Sequence, residues 1–261
     1  MCTKIALVGS PNTAKTSLFN LLTGMNQQVG NFPGVTVEKH WGKFNLPDGR
    51  VAELLDLPGA YSLNAYSEEE KIVSEILHNK QHADFPELVV VTVDVTNLER
   101  NLVILTQISD LDIPVIGVLT MNDMLIGKSV NPQELTNAFN QIPFLKINGR
   151  TGEGKQALID FISACNIQPV EKFISFPLKE NLNIAEARRD AESRKTSIVN
   201  RLKEVPSFVG VTRHSFTTKV DKLLVHPIFG YGIFAVVLFL IFQFMFSISA
   251  IPMDWIDSIF L

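Results

Sequence analysis

Five short runs of aliphatic residues punctuate the first part of the chain, at positions 4–8, 51–55, 87–95, 114–119 and 143–147. A sixth, at 40–46, is only half alternating and predicts a strand at the edge of a sheet. Between most of these runs lie helix-length stretches of mixed polarity, at 16–23, 67–78, 98–111 and 132–141. Strands alternating with helices predict an α/β fold with a mainly parallel sheet. Helices should cover both faces, because bare parallel strands would leave apolar surface in water.

From about residue 184 to 205 the strand signal disappears and charge takes over. Ala185, Ala187, Ala191, Arg188, Arg194 and Lys195 suit a helix, and Ile198, Val199 and Leu202 give it an apolar face near its end. Residues 227–251 then carry no charge at all. Twenty-odd apolar residues in a helix cover roughly 30 Å, the thickness of a bilayer's hydrocarbon core. Arg213, Lys219 and Lys222 precede this span, and Asp254 and Asp257 follow it, with Trp255 at the expected interface. Positive flanks stay on the cytoplasmic side, so the N-terminal part is expected in the cytoplasm. The predicted organisation is therefore an α/β domain over 1–167, a small helical domain and linker over 168–222, and a membrane segment over 223–261.

Composition narrows the function classes. With 46% hydrophobic residues, 18 Phe and a net charge of −4, the chain is neither disordered nor a non-specific nucleic-acid binder, so no nucleic-acid partner is expected. Cys2 and Cys165 are far apart and form no CxxC, which excludes a disulfide framework and a cysteine-held zinc. His214 and His226 have no histidine or carboxylate at i+3 or i+4 and suggest no metal site. The first residues lack a leader pattern, and a cytoplasmic start is expected.

The chemistry concentrates in Gly9-Ser10-Pro11-Asn12-Thr13-Ala14-Lys15-Thr16-Ser17, between a predicted strand and a predicted helix. A phosphate-binding loop needs this placement, since its backbone N–H groups and the helix N-terminus cradle phosphate oxygens. Lys15 would reach the β- and γ-phosphates, and the Thr16 hydroxyl would ligate Mg2+. The usual pattern has glycine where Ala14 stands. Asp56-Leu57-Pro58-Gly59 ends a strand at the sheet edge where ligands bind. There Asp56 could hold Mg2+ through water, and the Gly59 N–H could meet a γ-phosphate. Thr120-Met121-Asn122-Asp123 follows another strand. Asp123 could accept hydrogen bonds from guanine N1–H and the exocyclic amine, two donors that adenine lacks.

These motifs together resemble the ferrous iron transport protein B (FeoB) family. The phosphate loop is similar to its GxPNxGKT pattern followed by SLFN, and residues 29–38, which include Gly34, Val35 and Thr36, resemble its first switch. Residues 56–63 with Ser67, Glu68 and Glu69 resemble the second switch, and 226–230 the lead-in to the first transmembrane helix. The resemblance implies a Ras-like P-loop GTPase, then a helical domain that restrains GDP release, then an Fe2+-transporting membrane domain in the bacterial inner membrane. It implies GTP/GDP with Mg2+ held by Thr16, Thr36 and Asp56 (Asp56 through water), and K+ held by Asn12, with Asn12, Lys15 and Thr36 catalytic. From the residues alone, Asn12 also reads as a turn residue. Partners implied are the remaining transporter membrane domain or other copies of this chain, the lipid bilayer, and a small FeoA-like protein.

Three departures bear on the chemistry. Ala14 puts a Cβ where backbone must approach phosphate. Thr120 replaces an asparagine whose amide helps hold the loop. Asn148-Gly149-Arg150 stands where Ser-Ala-Lys is expected in the last base-contacting loop. Ala60 and Tyr61, rather than a glutamine, follow Gly59, so intrinsic hydrolysis should be slow. Two readings therefore stand: a GTP-hydrolysing regulatory module of an Fe2+ transporter, and a degenerate, membrane-tethered interaction module that retains the fold without turnover.

Overall fold

The structure is a computed structural model that describes residues 3–25, 27–32, 35–64, 67–125, 129–164, 169–174, 183–208, 224, 226 and 229–260, without the side chains of 3, 184, 229 and 246–260. The chain divides into two compact units, Met1–Val211 and Thr212–Leu261.

The first unit is built on seven strands: β1 (Thr3–Gly9), β2 (Gln27–Asn31), β3 (Glu38–Asn45), β4 (Val51–Asp56), β5 (Leu88–Asp94), β6 (Val115–Thr120) and β7 (Phe144–Lys146). Their order is β2-β3-β4-β1-β5-β6-β7. β4, β1, β5, β6 and β7 pair in parallel, whereas β2 and β3 are antiparallel additions on one side. β1 shows why both faces need cover, because Ile5, Leu7, Ala6 and Val8 are all buried. Ile5 and Leu7 pack with Leu18, Phe19 and Leu22 of α1 (Lys15–Thr23) and with Leu158 and Ile162 of α5 (Lys155–Ser163). Ala6 and Val8 face the other core, shared with α2 (Glu68–His78), α3 (Leu98–Ser109), α4 (Pro132–Ala138) and α6 (Ile184–Lys203).

Helix starts follow local chemistry. Ser67 caps α2 by accepting the Glu70 N–H at 3.2 Å, and three glutamates in its first turn favour the helix dipole. Asn131 and Pro132 open α4. Asn183 and Glu186 form a reciprocal capping box on α6.

Two features differ from the sequence reading. The strand expected at the edge is β3, and it lies inside, because β2 pairs outside it. β2 is exposed on nearly every residue, so no alternation marks it. α5 also lacked a sequence signal strong enough to separate it from the loop before it.

Helix α6 docks through a side chain that its charged sequence conceals. Arg194 is fully buried, with Nη2 2.7 Å from Asp110 Oδ2 and Nε donating to Asp190 Oδ1 at 2.8 Å. Burying a charge this deeply is tolerable only with paired carboxylates around it.

The second unit contains α7 (Phe229–Phe260). Its side chains are described for 230–245, where Tyr231, Phe234, Phe239 and Phe244 are all more than 60% exposed. Among the described residues, no helix is long and apolar enough to cross a membrane. Arg213, Lys219 and Lys222, the flanks that set the expected orientation, lie outside the described residues, as do His214, Gly34, Cys2 and Cys165.

Candidate functional site

β1 ends at Gly9 and α1 begins at Lys15, so residues 10–14 turn the chain through a short loop at the C-terminal edge of the sheet. Two residues of that loop hold left-handed backbone, Asn12 at φ 65° and Ala14 at φ 58°. Ala14 therefore does occupy a position that favours glycine. Its carbonyl accepts the Leu18 N–H at 3.0 Å, which starts the helix. No acidic residue stands in the first turn of α1, so its N-terminal N–H groups face no like-charge competitor for an anion.

A cleft of about 700 Å3 opens over this loop. Ser10 through Asn12 and Ala14 through Ser17 form one wall, with Gly59, Tyr61, Ser67, Glu69 and Glu70 opposite. The opposing segment is held close: the Ala60 N–H donates to the Gly9 carbonyl at 3.1 Å, and a Cβ on Gly59 would stand 3.1 Å from Pro11. Leu57 is buried behind it, while Pro58 is half-buried. Glu70 Oε1 accepts the Tyr61 N–H at 3.1 Å, and the Arg100 guanidinium stacks 3.6 Å over the Tyr61 ring.

Lys15 Nζ donates to Asp56 Oδ1 at 2.5 Å, both groups largely buried. Burial pushes the Asp56 carboxyl above its ordinary range, while the Lys15 charge and hydrogen bond and the His40 charge pull it back. His40 is the register partner of Asp56 across β3 and β4.

The expected loss of support at Thr120 does not occur. Its hydroxyl donates to the Thr13 carbonyl at 3.0 Å, tying the end of β6 to the phosphate loop in place of an amide. Met121, with φ 58°, turns the chain into the 3-10 turn Asn122–Met124. Asn122 donates to the Leu119 carbonyl at 2.8 Å, and Asp123 is exposed. Asn148 Oδ1 accepts the Arg150 and Thr151 N–H groups at 3.0 and 3.2 Å, so its side chain shapes its own loop. Gly149 brings that loop against α1, where a Cβ would stand 3.1 Å from Ser17 Cβ. Arg150 is exposed. Val35 is half-buried and Thr36 exposed, and neither lines the cleft.

The cleft thus gathers the phosphate loop and Gly59, with Asp56 behind Lys15, and leaves Thr36, Asp123 and the 148–150 loop outside its walls. Sequence reasoning missed Thr92, whose hydroxyl lies 2.7 Å from that of Thr13, and also Glu70 and Arg100. Only strand register and tertiary packing bring these three to the site. The residues present suit a phosphate group: a lysine, free helix N–H groups, and the Ser10 hydroxyl, 2% exposed and without a hydrogen-bond partner among the described residues. Among those residues no group of three or more His, Cys, Asp or Glu could hold a metal, so a cation here would rely on hydroxyls, one carboxylate and water.

Residues 3–162 match the family model described as "Ferrous iron transport protein B". The Fe(2+) transporter FeoB of Campylobacter jejuni is 35% identical over 98% of this chain and 40% of its own length. A fusion of Fe(2+) transport protein A with FeoB from Porphyromonas gingivalis is 30% identical over 98% of this chain and 38% of its own. The chain therefore spans less than half the length of these relatives. Among solved structures, the cytosolic domain of the T. maritima FeoB iron transporter in a GDP form is 28% identical, with a TM-score of 0.66 over 78% of this chain and 98% of that one. Its GMPPNP form gives 27% and 0.65 over the same shares.

Proposed function

The chain belongs to the ferrous iron transport protein B family and has its Ras-like α/β fold, and from that premise we propose that it is the guanine-nucleotide-binding, GTP-hydrolysing cytoplasmic part of an Fe2+ transporter of the bacterial inner membrane. The observation that carries this reading is Lys15, the first residue of α1, on one wall of the cleft and paired at 2.5 Å with Asp56.

In this reading the β- and γ-phosphates lie over the loop, contacted by the N–H groups of residues 13–17 and by Lys15, which must leave Asp56 to reach them. The Gly59 N–H meets the γ-phosphate from the opposite wall, and Asp123 with residues 148–150 reads the base. Thr16, Thr36 and water on Asp56 would hold Mg2+, and Asn12 would hold K+. When bound, the two cations would neutralise charge on the transferring phosphoryl group. Thr36 must move into the cleft to take part, as a switch residue would. Ala60 and Tyr61 offer no side-chain amide to orient water, so backbone groups of the two switch segments do so and turnover is slow.

The flanking parts follow. Residues 168–222 form the helical domain and linker that restrain GDP release, and 227–251 form the first membrane span, with later spans or other copies completing a pore. The apolar, exposed side chains of α7 at 230–245 support a lipid environment. The Porphyromonas fusion supports a small FeoA-like partner.

A second reading, a tethered module without turnover, is favoured by Ala14 at φ 58°. Phosphate release from GTP in K+ and in Na+ separates the two. The GTPase reading predicts slow release that is faster in K+, lost in Lys15→Ala and made cation-independent by Asn12→Ala. Guanine-nucleotide binding with no release in either salt supports the second.

A further inference from the structure

The two departures from the family's loop patterns, Ala14 and Thr120, meet in the structure at one residue, Thr13. We propose that Thr120 and Thr92 are positioning residues that clamp Thr13 and so hold Ala14 in its left-handed conformation, giving the phosphate loop its open shape without glycine.

The hydrogen bonds define the clamp. The Thr13 hydroxyl donates its single proton to the Ser10 carbonyl at 2.8 Å. Its contact with the Thr92 hydroxyl, at 2.7 Å, is much shorter than the 3.3 Å from Thr92 to the Val8 carbonyl, so the Thr92 proton goes to the loop and β5 donates to it. Thr120, at the end of β6, donates to the Thr13 carbonyl at 3.0 Å, closer than its other acceptor, the Val93 carbonyl at 3.4 Å. All three threonines are at most 2% exposed, so water does not compete for these bonds.

The Thr13 carbonyl belongs to the peptide unit whose orientation φ of Ala14 turns. Thr120 therefore fixes one side of that torsion. The Ala14 carbonyl, bonded to the Leu18 N–H at 3.0 Å, fixes the other. Between these anchors Ala14 stands at φ 58° and ψ 26°, a region that disfavours a Cβ. With glycine the same backbone would persist without help. The clamp matters because of the alanine, which couples two substitutions that read separately in the sequence.

The test is a double-mutant cycle of Thr120→Val, a near-isosteric loss of the hydroxyl, against Ala14→Gly. Its nucleotide arm rests on the binding function proposed above; its spectroscopic arm does not. In nucleotide-free protein, Ala14 scalar couplings and its 13Cβ shift should report positive φ in the natural chain and in Thr120→Ser, and a shift away from it in Thr120→Val. Thr92→Val should act in the same direction and guards against misfolding of one variant. In the binding arm, Thr120→Val should weaken GDP at least about tenfold with Ala14 present and less than about threefold in Ala14→Gly, with Thr120→Ser restoring affinity. An Ala14 that keeps positive φ in both valine variants, or equal losses of affinity in the two backgrounds, overturns the clamp. If no variant binds GDP, the proposed function fails, while the Ala14 signals still decide the clamp.

Discussion

At the scale of single residues, the site is organised around the contact between Lys15 and Asp56. Burial disfavours the Asp56 carboxylate more than Lys15 and His40 favour it, so the folded chain keeps that proton to a higher pH than the unfolded chain. The folded state then binds more protons across this window. The corresponding stability is full below the ordinary carboxylate value of 3.8 and is lost as pH rises through the raised value. Asp56→Asn, neutral at every pH, should therefore melt higher than the natural nucleotide-free protein at pH 7, with the gap closing as pH falls. A variant that melts lower at pH 7 would show that the ion pair outweighs burial. Asp123 carries a separate expectation. Asp123→Asn should move preference from guanine to xanthine nucleotides by about tenfold or more, because the added carbonyl accepts from an amide. Competition binding with the two diphosphates measures it, and an unchanged preference removes Asp123 from base selection. The place of Lys15 on the cleft wall was legible in the sequence because it follows a strand end within a short motif. Thr92 and Glu70 were not, since their partners lie across the sheet and across a turn.

At the scale of elements, the segment after Asp56 is tied to α6 through α3. The Leu63 N–H donates to Gln107 Oε1 at 2.9 Å, and Gln107 Nε2 donates to Asp190 Oδ2 at 2.9 Å. Asp190 in turn holds Arg194, which pairs with Asp110. Arg194→Met would leave buried Asp110 and half-buried Asp190 without their cation, and breaking such a buried pair costs about 3–5 kcal/mol. Urea unfolding should show a loss of that size; a change below about 1 kcal/mol would mean that the carboxylates relax to solvent or neutralise. The sequence could announce α6 as a helix, through its Ala content and the apolar face near its end, but not which charged residue turns inward. Periodicity treats Arg194 as part of a solvated face; only the facing Asp110 makes it a core residue. β2 was illegible for the opposite reason: exposed on both faces, it has pairing without pattern.

At the scale of the whole molecule, the sheet carries the phosphate loop, the Asp56 segment and the 120–123 turn on its C-terminal edge, where an open α/β sheet binds ligands. That arrangement was readable from strand–loop–helix order before any coordinate. The apolar run of α7 was equally readable, and it sets a further expectation. The full chain should float with liposomes, and a chain ending at residue 208 should stay in the soluble fraction; flotation of both would detach membrane binding from α7. The central claim, that the Lys15 cleft is a guanine-nucleotide site, is tested most directly by calorimetric titration of the chain with GDP, GTP and ATP in Mg2+. The account predicts saturable binding of both guanine nucleotides and none of ATP, abolished by Lys15→Ala and little changed by Ala14→Gly, because the clamped loop already holds its shape. No heat with GDP or GTP from either the natural chain or Ala14→Gly would contradict it.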